Sequence, residues 1–171
     1  MPREEIEFGH LDILVSNAAV FHKDSLRNVS GKKLLDEFWP NLFAPILLIR
    51  AFASRVEKGK IVNLLDRRIA GLDVSSVPYL LTKKALAELT RLAALELAPG
   101  ITVNGIAPGP VLPPPGKGKS YLRDHAGSVP LNKRITPEDI ADAVIFLLKN
   151  DAITGQILFV DGGQNLLGNV K

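Results

Sequence analysis

The stretch Ser76–Ile106 reads SVPYLLTKKALAELTRLAALELAPGITVNGI. Within it Leu86, Leu89, Ala93 and Leu97 fall at steps of three and four, an apolar helical stripe that Pro99-Gly100 brings to a stop. Directly after the stop, Ile101 to Ile106 is short, apolar and rich in β-branched residues, which reads as a strand. Similar runs recur at Ile13 to Val15, Ile61 to Leu65 and Ile157 to Val160, each separated from the next by a helix-like segment. Their apolar residues are consecutive rather than alternating, as in strands covered on both faces. The expected class is therefore α/β, a parallel sheet with helices above and below.

Two further helices flank this core. Thr136-Pro137-Glu138-Asp139 opens one, with a threonine cap, proline at the first helical position and acids in the first turn, ahead of Ile140, Val144, Leu147 and Leu148. Ser30 to Val56 also has a helical pattern, but Pro40 and Pro45 are expected to break or kink it, so the chain should do something irregular near Asn41. Between Gly109 and Lys119 the sequence GPVLPPPGKGK holds four prolines and three glycines, which excludes a packed element and leaves either a solvated connection or a lid. No repeat or low-complexity tract divides the chain, so 1–171 is read as a single domain.

Composition narrows the function. With 46% hydrophobic and 23% charged residues the 171-residue chain belongs among globular domains, and a net charge of +3 is too small and too evenly spread to argue for nucleic acid. Having no cysteine, it has no thiolate nucleophile, disulfide or cysteine-ligated zinc, which fits a reducing compartment and makes the cytoplasm the expectation. His10, His22 and His125 lack partners at metal-ligand spacing and are read as surface residues, so no metal is expected. The start, MPREEIEFGH, is acidic where a secretory signal is basic, and Leu42 to Ile49, interrupted by Pro45, is far short of the roughly 20 apolar residues of a membrane span.

Tyr79 and Lys83 are four apart on the Ser76–Pro99 helix and face one side, with the ammonium in reach of the phenol. A tyrosine pKa of about 10 must fall by roughly 3 units, worth about 4 kcal/mol, for proton exchange to be easy near neutrality. A neighbouring cation is the natural means, so the pair is a candidate acid catalyst.

Several segments in a fixed order give that pair a context. Leu11-Asp12-Ile13-Leu14-Val15-Ser16-Asn17-Ala18-Ala19, Asn41 in Asn41-Leu42-Phe43, Tyr79 to Lys83, Val103-Asn104-Gly105-Ile106-Ala107-Pro108-Gly109, and Ile153-Thr154-Gly155-Gln156 through Val160-Asp161-Gly162-Gly163 together resemble the short-chain dehydrogenase/reductase family over nearly the whole chain. The resemblance implies the C-terminal portion of a Rossmann-like, doubly wound parallel sheet. It implies a hydride from a nicotinamide cofactor, NADPH with NADH also open, held by Asn17, Ala18, Ala19, Lys83, Pro108, Gly109 and Val111. It also implies Tyr79 as proton donor, Lys83 lowering its pKa and holding the ribose hydroxyls, Asn41 holding a water in a proton relay, and a homo-oligomer, a tetramer in the family.

One departure from the family pattern bears on the substrate. Thirteen residues before Tyr79, where most of the family has a serine that donates to a substrate carbonyl, stands Asp66. An ionised carboxylate cannot donate, so Asp66 suits a substrate that presents N–H or becomes cationic, such as a C=N group in a pterin ring. The other reading is that Asp66 only caps a turn or pairs with Arg67 or Arg68. The Asp, Tyr and Lys spacing is similar to the pteridine reductase branch, and Phe21 falls where that branch stacks a phenylalanine on the pterin, a core phenylalanine being the alternative.

The family's opening strand and glycine-rich turn, whose N–H groups hold the cofactor pyrophosphate, have no counterpart in these residues. The expectation is therefore a partial Rossmann-like domain with its first strands absent, in which Leu11 to Ser16 is an open edge and the 171 residues alone bind NADPH weakly and self-associate. The function expected is reduction of a small molecule, pterin-like at a C=N bond. A carbonyl reductase of the ketoacyl type and a non-catalytic interaction module remain as alternatives.

Overall fold

The computed structural model describes residues 10–113, 116–118, 120–125 and 127–167. Four strands, β1 (Ile13–Ser16), β2 (Gly59–Leu64), β3 (Ile101–Pro108) and β4 (Ile157–Val160), form one sheet in the order β1-β2-β3-β4. All three pairings are parallel. Ser16 lies opposite Asn63, Leu64 opposite Ile106 and Pro108 opposite Val160, so the carboxyl ends of the strands open onto one side of the molecule.

The consecutive apolar residues of β2 and β3 divide between the faces. Ile61, Ile101 and Val103 pack under α2 (Ala44–Ala53) and α3 (Val77–Glu96), against Ile49, Phe52, Ala93 and Ala94. Val62, Leu64 and Ile106 pack under α5 (Pro137–Lys149), chiefly against Leu147. The fold is thus the α/β sheet covered on both faces that the sequence implies. β1 stands at the sheet edge with Leu11, Ile13 and Val15 exposed.

Helix ends follow their local chemistry. Thr136 accepts from Asp139 N while the Asp139 carboxylate accepts from Thr136 N, a reciprocal capping box at the start of α5. Ser30 caps α1 (Gly31–Phe38) by accepting from Lys33 N. The expected break at Pro40 and Pro45 takes a milder form. The helical run continues from Gly31 to Ala53, but Trp39–Phe43 between α1 and α2 is a π-turn with Ala44 N reaching back to Trp39 O. Neither proline can donate to the carbonyl four residues before it, and the wider turn at Trp39–Phe43 accommodates the misfit without ending the run. In the glycine- and proline-rich connection, Pro114, Pro115 and Lys119 lie outside the described residues, and the connection is followed by a short helix not expected from the sequence, α4 (Ser120–His125).

Candidate active site

A cleft of about 900 Å³ opens at the carboxyl ends of β1, β2 and β3, between α3 and α5. In parallel α/β sheets this is where ligands bind, because the loops leaving the strands diverge there. Asp66, Tyr79 and Lys83 line it, together with Phe21 from the segment after β1. Asn17, Ala19, Pro108, Gly109 and Val111 also line it, whereas Ala18 is exposed and is not part of the lining.

Tyr79 is held by its helix. Ser76 precedes α3, its hydroxyl donating to Asp73 Oδ2 at 2.7 Å, and Val77 N donates to Asp24 O at 3.0 Å. The first turn of α3 is fixed at both points, and Tyr79, 7% exposed, points its hydroxyl at Asp66. The phenol donates to Asp66 Oδ2 at 3.0 Å. Asp66 accepts Arg68 N on Oδ1 at 2.8 Å, capping the 3-10 turn Arg67–Ala70, and its Oδ2 lies 3.5 Å from Arg68 Nη1. Asp66 therefore caps the turn and pairs with Arg68, and it also touches the phenol in the cleft.

Lys83 approaches the Tyr79 ring but does not hydrogen-bond to the phenol hydroxyl. Lys83 Nζ donates to Leu64 O at 2.7 Å and stands 5.9 Å from the centre of the Tyr79 ring. The backbone carbonyl at the end of β2 competes for the ammonium and wins. Tyr79 is correspondingly not lowered but pushed well above its ordinary value, first by burial and then by the Asp66 charge and hydrogen bond. Burial in turn lowers Lys83 to about 8, against the pull of Asp66 and Glu37. In this arrangement the phenol keeps its proton at neutral pH.

Phe21 is not a core residue. It is 42% exposed, meets the Tyr79 ring edge-to-face at a centroid distance of 4.8 Å, and carries the Arg68 guanidinium over its ring at 5.0 Å. Asn41 is buried in the π-turn, and its amide is engaged: Oδ1 accepts from Val20 N, and Nδ2 donates to Val20 O and to Glu37 Oε2, each at 2.8 Å. Both amide protons and one lone pair of Oδ1 are thus taken up within the protein. His22 is largely exposed as expected, yet its Nδ1 lies 2.8 Å from Glu37 Oε1, and His125 has no described side chain.

Sequence reasoning missed Glu37 and gave Arg68 no part at the Phe21 ring. The one available signal for Glu37 was its position four residues before Asn41, which sets the two on one face of the helical run. Among the described residues no group of three or more potential ligands is placed to hold a metal, and no helix is long and apolar enough to cross a membrane.

A family model described as enoyl-(acyl carrier protein) reductase matches residues 4–165. Pteridine reductase 1 of Leishmania tarentolae is 37% identical over 188 residues, covering 94% of this chain and 65% of that protein. Glucose and ribitol dehydrogenase homolog 2 of Arabidopsis thaliana is 33% identical, covering 91% of this chain and 57% of that protein. Among solved structures, FolM alternative dihydrofolate reductase 1 from Brucella canis, complexed with NADP, aligns with a TM-score of 0.86 and 31% identity, over 91% of this chain and 64% of that one. The chain spans less than two thirds of the length of each of these relatives.

Proposed function

We propose, for a chain that belongs to the short-chain dehydrogenase/reductase family, that its residues 1–171 form a partial Rossmann-like domain of an NADPH-dependent reductase that acts on a pterin-like C=N bond. The observation that carries this reading is the Tyr79–Asp66 hydrogen bond beside the Phe21 ring. It sets a proton-bearing phenol, a carboxylate that only accepts, and an aromatic ring together at one wall of the cleft. A flat heteroaromatic substrate with ring N–H groups matches all three, whereas a simple ketone leaves the carboxylate facing a carbonyl oxygen it cannot serve. The 37% identity to pteridine reductase 1 and the likeness to the FolM reductase support the same substrate class.

The cleft fits the nicotinamide half of a dinucleotide. It combines a buried ammonium, Lys83, with small residues at Ala19 and Gly109 and apolar walls at Val15, Leu64 and Val144. Asn17, Ala19, Lys83, Pro108, Gly109 and Val111, all in the lining, are the residues that would hold it. When bound, the cofactor supplies the hydride that reduces the substrate carbon.

As that carbon is reduced, the attached nitrogen becomes strongly basic. Tyr79 holds a proton at Oη and gives it to this nitrogen, and even a phenol of raised pKa is a competent donor to so basic an acceptor. Lys83 stabilises the tyrosinate formed. Asp66 orients the phenol and accepts from ring N–H groups of the substrate.

The test is NADPH oxidation by the full-length protein with dihydrobiopterin and with model ketones and aldehydes, the products identified by chromatography. Preferential conversion of dihydrobiopterin is the expected result. Turnover of the carbonyl compounds with none of the pterin would overturn the reading.

A further inference from the structure

The segment from Asn17 to Asp24, which carries Phe21 into the cleft, has no regular secondary structure. Its conformation is set from the far side by one buried pair. Glu37, 1% exposed, takes His22 N at 2.6 Å and His22 Nδ1 at 2.8 Å on Oε1, and Asn41 Nδ2 at 2.8 Å on Oε2. Asn41 then holds both main-chain groups of Val20. The residues on either side of Phe21 are therefore pinned, one by Asn41 and one by Glu37, and Glu37 fixes Asn41 as well.

We infer that Glu37 is a positioning residue that holds Phe21 as the aromatic wall of the substrate cleft, acting through Asn41, Val20 and His22. The inference rests on the pterin-type reading above for its kinetic consequence but not for its structural one. Glu37 does not line the cleft, so its effect on a substrate passes through Phe21. A buried carboxylate with three donors is costly to leave partly unpaired, which makes the conformation of the Val20–His22 segment over-determined. Without that restraint an exposed phenyl ring on an irregular segment samples several orientations, and a stacking partner loses affinity to the ordering cost. The chemistry at Tyr79 is untouched, so substrate binding carries the loss.

Glu37→Gln keeps the shape but replaces one acceptor oxygen by a donor facing Asn41 Nδ2. In the full-length protein it is expected to raise the KM for dihydrobiopterin about tenfold while kcat stays within about threefold, the signature of lost ground-state binding. Phe21→Leu should give a similar split, and Glu37→Gln added to Phe21→Leu should change KM little further, because both act through one ring. Amide hydrogen exchange in the free protein provides a readout independent of turnover: Val20 and His22 should exchange about tenfold faster in Glu37→Gln, with the α3 amides unchanged. Should Glu37→Gln not fold, His22→Ala, which removes an exposed ring and one of the three bonds, carries the same test with a KM rise of about threefold. An unchanged KM and unchanged exchange, or a Glu37→Gln effect that persists in full in the Phe21→Leu background, would overturn the assignment. If the parent protein reduces no pterin, the substrate reading fails by itself, and the exchange measurement still decides the role of Glu37.

Discussion

Tyr79 and Asp66, thirteen residues apart, are joined by a 3.0 Å hydrogen bond in which the phenol donates to Oδ2 of the carboxylate. Asp66 follows β2 and Tyr79 lies in the first turn of α3, so the bond closes the loop between them at one wall of the cleft. The same carboxylate caps the turn that follows β2. One residue thereby fixes the local backbone of the turn and the orientation of the Tyr79 hydroxyl.

Tyr79→Phe removes that proton and little else. In the full-length protein it should lower turnover by about 10² to 10⁴, the usual contribution of a general acid. NADPH affinity, followed by fluorescence titration, should stay close to that of the parent, since the phenyl ring still packs against Phe21. A rate within tenfold of the parent would remove Tyr79 from the role of acid.

Lys83 should make stability rise with pH in a defined window. Its ammonium is lowered from the ordinary 10.5 to about 8, so between these values the unfolded chain binds more protons than the folded one. Stability therefore increases with pH across the window, by up to about 1.4 kcal/mol per pH unit for one proton. Urea unfolding of the parent and of Lys83→Met at several pH values between 8 and 10.5 checks this: the parent should gain on the variant as pH rises. A constant difference would mean that Lys83 titrates alike in the two states.

Gly109 leaves β3 toward the cleft with its main-chain N bound to Val160 O at 2.9 Å. A Cβ there would meet Asp161 Cα at 2.9 Å and Asp161 Cβ at 3.0 Å, and the backbone atom of that pair cannot move aside as a flexible side chain would. Gly109→Ala should therefore cost about 1–3 kcal/mol by overpacking, lowering Tm by several degrees in a thermal melt. An unchanged Tm would show that β3 and β4 separate more easily at this end than the packing implies.

The strands and their parallel arrangement were legible because the sheet is covered on both faces. That burial puts apolar residues on both sides of Ile61–Leu65 and Ile101–Ile106, interrupted by the buried Asn63 and Asn104, a pattern that needs no partner to be recognised. The α5 start was legible because a capping box is local. The π-turn was visible only as a conflict between a helical pattern and two prolines, since the sequence shows that something must yield but not how. At the site, Tyr79, Lys83, Asp66 and Phe21 were all identifiable and the structure brings them to one cleft. What the sequence hid were competitions among partners. The Leu64 carbonyl outbids the phenol for Lys83, the main chain of Val20 takes the Asn41 amide, and Arg68 covers the Phe21 ring. Each depends on atoms brought close only by tertiary packing.

The central claim, that Asp66 tunes this cleft for a ring nitrogen rather than a carbonyl, is tested most directly by Asp66→Ser. Serine restores a hydroxyl donor for a carbonyl while removing the carboxylate that accepts from N–H. Values of kcat/KM for dihydrobiopterin and for a model ketone, measured in parent and variant, give a ratio that cancels any general loss of activity. The account predicts that the ratio of pterin to ketone falls by about tenfold or more, the scale of a lost buried polar contact. Equal losses on both substrates, or a larger loss on the ketone, would contradict it.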